Sequence, residues 1–273
     1  MKQQVITYRS SSIHFTVEGQ GEKTMVCLHG YGESAEKFEF LQHYADRLSF
    51  TIIAIDLPFH GQTEWREKEP LYADDLNSII ESIIQVTSGS NHIPYMLTGF
   101  SLGGRLALSC YQSDPKRIEK LVLIAPDGLK VNGWYWFATQ TWTGNQLFAL
   151  TMKKPYWFFG LLKLMKKLNL VNHSIFKFVN HYISDDSVRH SLYLRWTQLR
   201  KLKPDLSLIK KQICKHHTPV RLLYGKHDRI IVTSVGHKFR AGIESCCTLR
   251  EINCGHQVLH EKHSKEILNA IQQ

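Results

Sequence analysis

The sequence predicts an α/β fold: a mostly parallel, eight-stranded sheet flanked by helices, with a helical cap inserted late in the chain. Three observations carry this. Short β-branched and aliphatic runs alternate with longer helical patterns, as parallel strands covered on both faces require. The interval 125–219 is far longer than one crossover between neighbouring strands needs, yet it holds no strong strand pattern. Finally, 273 residues that are 43% hydrophobic and 21% charged suffice for one large core plus an inserted subdomain.

Taken in order, alternating polar and apolar residues at 6–8 and 13–17 suit two antiparallel edge strands and lack the apolar run of a signal peptide. Further strands are predicted at 24–28, 50–55, 95–98, 120–124, 220–224 and 248–252, with helical patterns at 71–86, 102–113 and 260–271. This places the core at 1–128 and 216–273 and the cap at 129–215, after the sixth strand. No span approaches the roughly twenty apolar residues of a membrane-crossing helix. Cys27, Cys110, Cys214, Cys246, Cys247 and Cys254 lack metal-ligand spacing. They read as reduced thiols of a cytoplasmic protein, with the adjacent Cys246 and Cys247 the pair least typical of one.

The chemistry concentrates at strand ends. Gly99-Phe100-Ser101-Leu102-Gly103 follows one strand and opens a helix, so Ser101 is expected at a sharp, strained turn with its hydroxyl exposed above the sheet. His29-Gly30-Tyr31-Gly32 leaves an earlier strand as a loop able to aim backbone N–H groups at the same space, and the N–H groups of Tyr31 and Leu102 are the expected oxyanion donors. Downstream, Asp228 follows the strand 220–224, and His256 follows 248–252. A serine hydroxyl attacks only when an imidazole takes its proton, and the imidazole needs a carboxylate to orient it. Serine, aspartate, histidine in that order supplies the set. Asp127, after the strand 120–124, competes for the acid position; Pro126-Asp127-Gly128 also suits an ordinary turn, which favours Asp228.

With these motifs the chain resembles the α/β-hydrolase superfamily, in particular its lidded branch of serine esterases, lipases and C–C bond hydrolases. The resemblance covers essentially everything outside the middle of the chain. It includes Asp56-Leu57-Pro58-Phe59-His60-Gly61, where family members usually carry glycine at the position of Phe59, and the departure is expected to alter a turn. Asp56 is read as bracing the loop behind the site. The resemblance implies no cofactor and no metal.

The cap carries the charge. From 130 to 215 there are fifteen Lys and Arg against Asp185, Asp186 and Asp205, a local charge of +12 in a chain of formal charge +10. The same interval holds fifteen of the thirty aromatic residues and five of the six tryptophans. Such a cap is expected to roof an apolar substrate, with Trp134 and Trp157 joining His29, Phe100 and Arg105 as substrate contacts. The lysines have three readings: plain solubilisation, attraction of an anionic or lipid-like small-molecule substrate or an anionic membrane surface, and nucleic acid, for which no recognition motif is present.

The expected activity is hydrolysis of a carboxylic ester or thioester with a hydrophobic part. Two alternatives stand beside it. The elbow is similar to that of menaquinone-pathway lyases that eliminate pyruvate, and to related C–C hydrolases, which implies carboxylate binding by Arg105 with Arg189 or Arg195. A non-catalytic binding module on the same fold is the reading from another class. Oligomeric state is not legible in the sequence.

Overall fold

The computed structural model describes residues 2–90, 93–130, 133–167 and 184–273. Strands β1 (Lys2–Tyr8), β2 (Ser11–Glu18), β3 (Lys23–Leu28), β4 (Phe50–Ile55), β5 (Tyr95–Phe100), β6 (Ile118–Ile124), β7 (Val220–Gly225) and β8 (Cys247–Ile252) form one sheet in the order β1-β2-β4-β3-β5-β6-β7-β8. β1 pairs with β2, and β2 with β4, in antiparallel fashion; all other neighbours are parallel. β1 alternates exposed and half-buried positions, as an edge strand does, whereas all six residues of β5 are buried. Helices on both faces explain the difference. After the one-turn helices α1 (Glu39–Gln42) and α2 (Ala45–Leu48), α3 (Ala73–Ser88) buries Ile79, Ile80, Ile83 and Ile84, and α4 (Leu102–Ser113) is buried along most of its length.

Strand order positions the site. β4 lies on one side of β3 and β5 on the other, with Leu28 in register with Gly99. Chains leaving the C-terminal ends of β3 and β5 therefore diverge and open a crevice there.

The chain forms two compact units: Met1–Lys130 with Lys201–Gln273, and Val131–Arg200. The second is helical, with Gly133–Gln140, Trp142–Lys153, Tyr156–Lys167 and Asp186–Gln198 closing on a small core of Ala138, Phe148 and Met152. Phe158, Phe159, Tyr193 and Trp196 pack against it. Residues 131–132 and 168–183 of the expected cap lie outside the described residues. The unit is shorter than the 129–215 expected from sequence, because the helix Leu206–His216 belongs to the first unit. Asp205 caps that helix by accepting the N–H groups of Ser207 and Leu208, and Ile209 and Ile213 are buried. Gln112 of α4 ties it down, accepting the N–H of Asp205 at 2.6 Å and, through its carbonyl, the amide of Gln212 at 3.0 Å. Its lysines therefore belong to the sheet unit; residues 131–200 carry nine Lys and Arg against two Asp, a charge of +7.

All six cysteines are free, and burial pushes the thiols of Cys27 and Cys110 far above their ordinary value. Among the described residues no helix is long and apolar enough to cross a membrane.

Candidate active site

Ser101 stands between β5 and α4 with φ 50° and ψ −111°. Side chains rarely adopt this backbone, at a cost of about 1–3 kcal/mol, so the surroundings must over-determine it. They do so through three hydrogen bonds. The Ser101 N–H donates to Ile124 O at 3.0 Å, and its carbonyl accepts from Gly104 N at 3.0 Å and Asp127 N at 2.9 Å. The glycines are sterically required: a Cβ on Gly99 would strike the backbone of Gly103, and one on Gly103 would strike the carbonyls of Leu28 and His29. Leu102 is the first residue of α4, so its N–H has no acceptor within the helix.

His256 reaches Ser101 from the loop after β8. Its Nε2 lies 3.1 Å from Ser101 Oγ and its Nδ1 2.7 Å from Asp228 Oδ2. The carboxylate fixes the tautomer: Nδ1–H donates to Asp228, leaving Nε2 to accept the serine hydroxyl. Asp228 is buried, and its other oxygen accepts the N–H groups of Ile230 at 2.7 Å and Ile231 at 3.0 Å, so three donors offset its burial. Asp127 does not compete for His256. Its Oδ1 accepts the N–H of Gly128 at 2.7 Å and its Oδ2 lies 3.6 Å from Arg105 Nε.

Several expected substrate contacts have other work. His29 is fully buried, and its ring is committed on both nitrogens: Nδ1–H donates to Gly30 O at 2.7 Å, and Nε2 accepts Leu57 N–H at 3.0 Å. On the other side Glu33, which sequence reasoning missed, accepts the Gly30 N–H at 3.1 Å. Lys37, four residues on, pairs with Glu33 at 3.4 Å and donates to Gln257 at 3.0 Å, linking this loop to the neighbour of His256. Only the i,i+4 spacing of Glu33 and Lys37 signals this in the sequence. Phe100 is buried too, its ring centroid 5.4 Å from that of His256, so it backs the imidazole. Arg105 is nearly buried beside Asp127. Arg189 is spent within the second unit on Met152 O, at 2.8 Å, and on Asp186. Trp134 and Trp157 are exposed residues of that unit.

Asp56 braces the loop as expected, accepting from Ala35 N at 2.6 Å, Gln62 N at 2.8 Å and His14 Nδ1 at 2.8 Å. Phe59, at the position where a glycine is usual, has φ 64°, the left-handed backbone that glycine favours. The hydrogen bonds around Asp56 hold the loop in that shape, and the phenylalanine follows it.

A family profile described as serine aminopeptidase, S33, matches residues 19–263. The chain belongs to this family of α/β hydrolases. Among relatives, it is 24% identical to the uncharacterized hydrolase YugF of Bacillus subtilis (strain 168), covering 91% of this chain and 92% of that one. It is 23% identical to monoacylglycerol lipase abhd6-B of Xenopus laevis, over 95% of this chain and 78% of the relative. Among solved structures, MGS-M2, an alpha/beta hydrolase enzyme from a Medee basin deep-sea metagenome library, has the same fold, with a TM-score of 0.68 at 15% identity over 99% of this chain and 98% of that one. The hydrolase thus shares its fold across nearly the whole chain with enzymes of low sequence identity.

Proposed function

We propose that this hydrolase is a serine esterase or thioesterase acting on substrates with a hydrophobic part. The observation that carries the reading is the continuous hydrogen-bonded line from Ser101 through His256 to Asp228, built on a serine held in a strained turn. Ser101 Oγ attacks the carbonyl carbon while His256 Nε2 takes its proton, and Asp228 stabilises the imidazolium. Charge developing on the carbonyl oxygen meets the N–H groups of Leu102, at the N-terminus of α4, and of Tyr31, in the loop after β3. His256 then protonates the leaving alkoxide or thiolate. Water, deprotonated by the same imidazole, releases the acid and restores the serine. The likeness to a monoacylglycerol lipase supports a lipid-like ester. The carboxylate binding that the carbon–carbon alternatives ask of Arg105 and Arg189 would compete with Asp127, 3.6 Å from Arg105 Nε, and with Met152 O, which accepts from Arg189; Arg195 is the half-buried arginine left to that reading.

Labelling with a fluorophosphonate and turnover of a graded series of p-nitrophenyl esters test this. Wild type is expected to label at Ser101 and to hydrolyse esters; Ser101→Ala does neither while melting normally. Asp228→Asn should cost about four orders of magnitude in turnover, as it does for triad acids elsewhere. A larger loss for Asp127→Asn than for Asp228→Asn would move the acid role to Asp127.

A further inference from the structure

The helix Tyr156–Lys167 carries apolar residues on its outside. Trp157, Leu161 and Leu164 recur at i, i+4 and i+7, a single helix face, and are 39%, 44% and 53% exposed, while Tyr156 at the head of the helix is 85% exposed. The packed side is accounted for: Leu162 is buried and Phe158 and Phe159 pack on the unit's own core. The preceding helix, Trp142–Lys153, behaves alike, with Phe148, Thr151 and Met152 buried and Leu147 and Leu150 exposed. Lys153 and Lys154 are exposed where the first helix passes into the second, and Lys163 and Lys167 are exposed on the second helix. Between Asp127 and Asp185 the sequence contains no acidic residue. Single exposed leucines are ordinary, but a stripe of tryptophan, tyrosine and leucine with exposed lysines on the same helix is not explained by solubility, which mixed charges serve better.

We propose that this face docks on the surface of a membrane containing anionic lipid. The helix Tyr156–Lys167 lies in the plane of the interface, Trp157, Leu161 and Leu164 enter the boundary between headgroups and acyl chains, and Lys153, Lys154, Lys163 and Lys167 meet lipid phosphates. Twelve residues make a helix of about 18 Å, too short for a hydrocarbon core of about 30 Å, so the contact is peripheral. Charge complementarity selects this occupant. A second copy of the chain would set lysine against lysine, and a nucleic acid would satisfy the lysines but leave the leucines in water. The docking does not depend on the chemistry proposed for Ser101.

The full-length chain, its folding checked by circular dichroism, is sedimented with vesicles of phosphatidylcholine alone and of phosphatidylcholine with phosphatidylglycerol, at low and high salt. It should bind the second kind and not the first. Lys163→Glu with Lys167→Glu should lower partitioning by at least about 25-fold, from about fivefold per lysine at an anionic surface. Leu161→Ser with Leu164→Ser should lower it at least about tenfold. Binding that ignores phosphatidylglycerol, or that the leucine pair leaves intact, would overturn the proposal. So would self-association abolished by the leucine pair without vesicle binding, or binding to duplex DNA as tight as that to vesicles. Turnover of a water-soluble ester should be unchanged in both double variants, and because vesicle binding is read without turnover, an inactive wild type would leave this result standing.

Discussion

Ser101 and Phe59 both hold backbone conformations that side chains avoid, for opposite reasons. At Ser101 the strain aims a hydroxyl at His256, and hydrogen bonds from two directions hold it. At Phe59 the loop around Asp56 sets the strain. His29 shows the same division between reacting and holding. A trans peptide is planar, so its C=O and N–H point in opposite directions. By fixing the Gly30 carbonyl, the buried His29 ring fixes the plane that carries the Tyr31 N–H. If the Tyr31 N–H is an oxyanion donor as proposed, His29→Leu should lower kcat by about 10²-fold, the cost of misplacing one such donor, with KM little changed, and His29→Gln, which keeps a donor and an acceptor, should recover part of it. Steady-state kinetics on one ester decide; a change confined to KM would return His29 to substrate binding. The Ser, Asp and His positions were legible as residues at strand ends. The roles of His29, Phe100 and Arg105 were not, because motif position does not show which way a ring or guanidinium is committed.

At the scale of elements, glycine shows how context sets the sign of one substitution. Gly103, in the first turn of α4, lies so close to the end of β3 that a methyl would overlap the carbonyls of Leu28 and His29. Gly160 lies inside the helix Tyr156–Lys167 with nothing within reach of a Cβ. Gly103→Ala should thus cost at least about 2 kcal/mol by overpacking, whereas Gly160→Ala should gain up to about 1 kcal/mol through helix propensity. At about 2–4 °C per kcal/mol, thermal melts would show the two shifts with opposite signs. A fall for both would mean that Gly160 is needed in its helix for a reason that the open space around it does not show. Element positions were largely readable: the predicted strand 95–98 grew to Tyr95–Phe100, and the predicted helix 260–271 begins with a 3-10 turn at Glu261–His263 before Ser264–Gln272. Periodicity finds such segments well, but their ends depend on caps and packing.

At the scale of the whole molecule, β6 is tied to the helix Ser264–Gln272. Lys120, nearly buried at the start of β6, donates to Ile271 O at 2.6 Å, and burial pulls its ammonium down to about 8. A lysine whose folded value lies below its unfolded one opposes folding at pH values under 8, and the penalty fades as pH rises from about 8 toward 10.5. Relative to Lys120→Met, wild type should gain stability across that window, measured as the difference in Tm between the two proteins from pH 7 to 10; parallel Tm curves would contradict it. The division between sequence and structure runs along range of interaction. The sequence by itself determined the alternation of strands and helices, the elbow at Ser101, the order Ser, Asp, His, and the basic, aromatic character of the inserted segment, since all of these are local patterns of residue type. Only the tertiary structure decided that His256 pairs with Asp228 while Asp127 faces Arg105, that the helix Leu206–His216 belongs to the sheet and not to the insertion, and that the apolar stripe of Tyr156–Lys167 points outward. Each of these depends on which distant surface a side chain meets, and the spacing of residues along the chain does not carry that information.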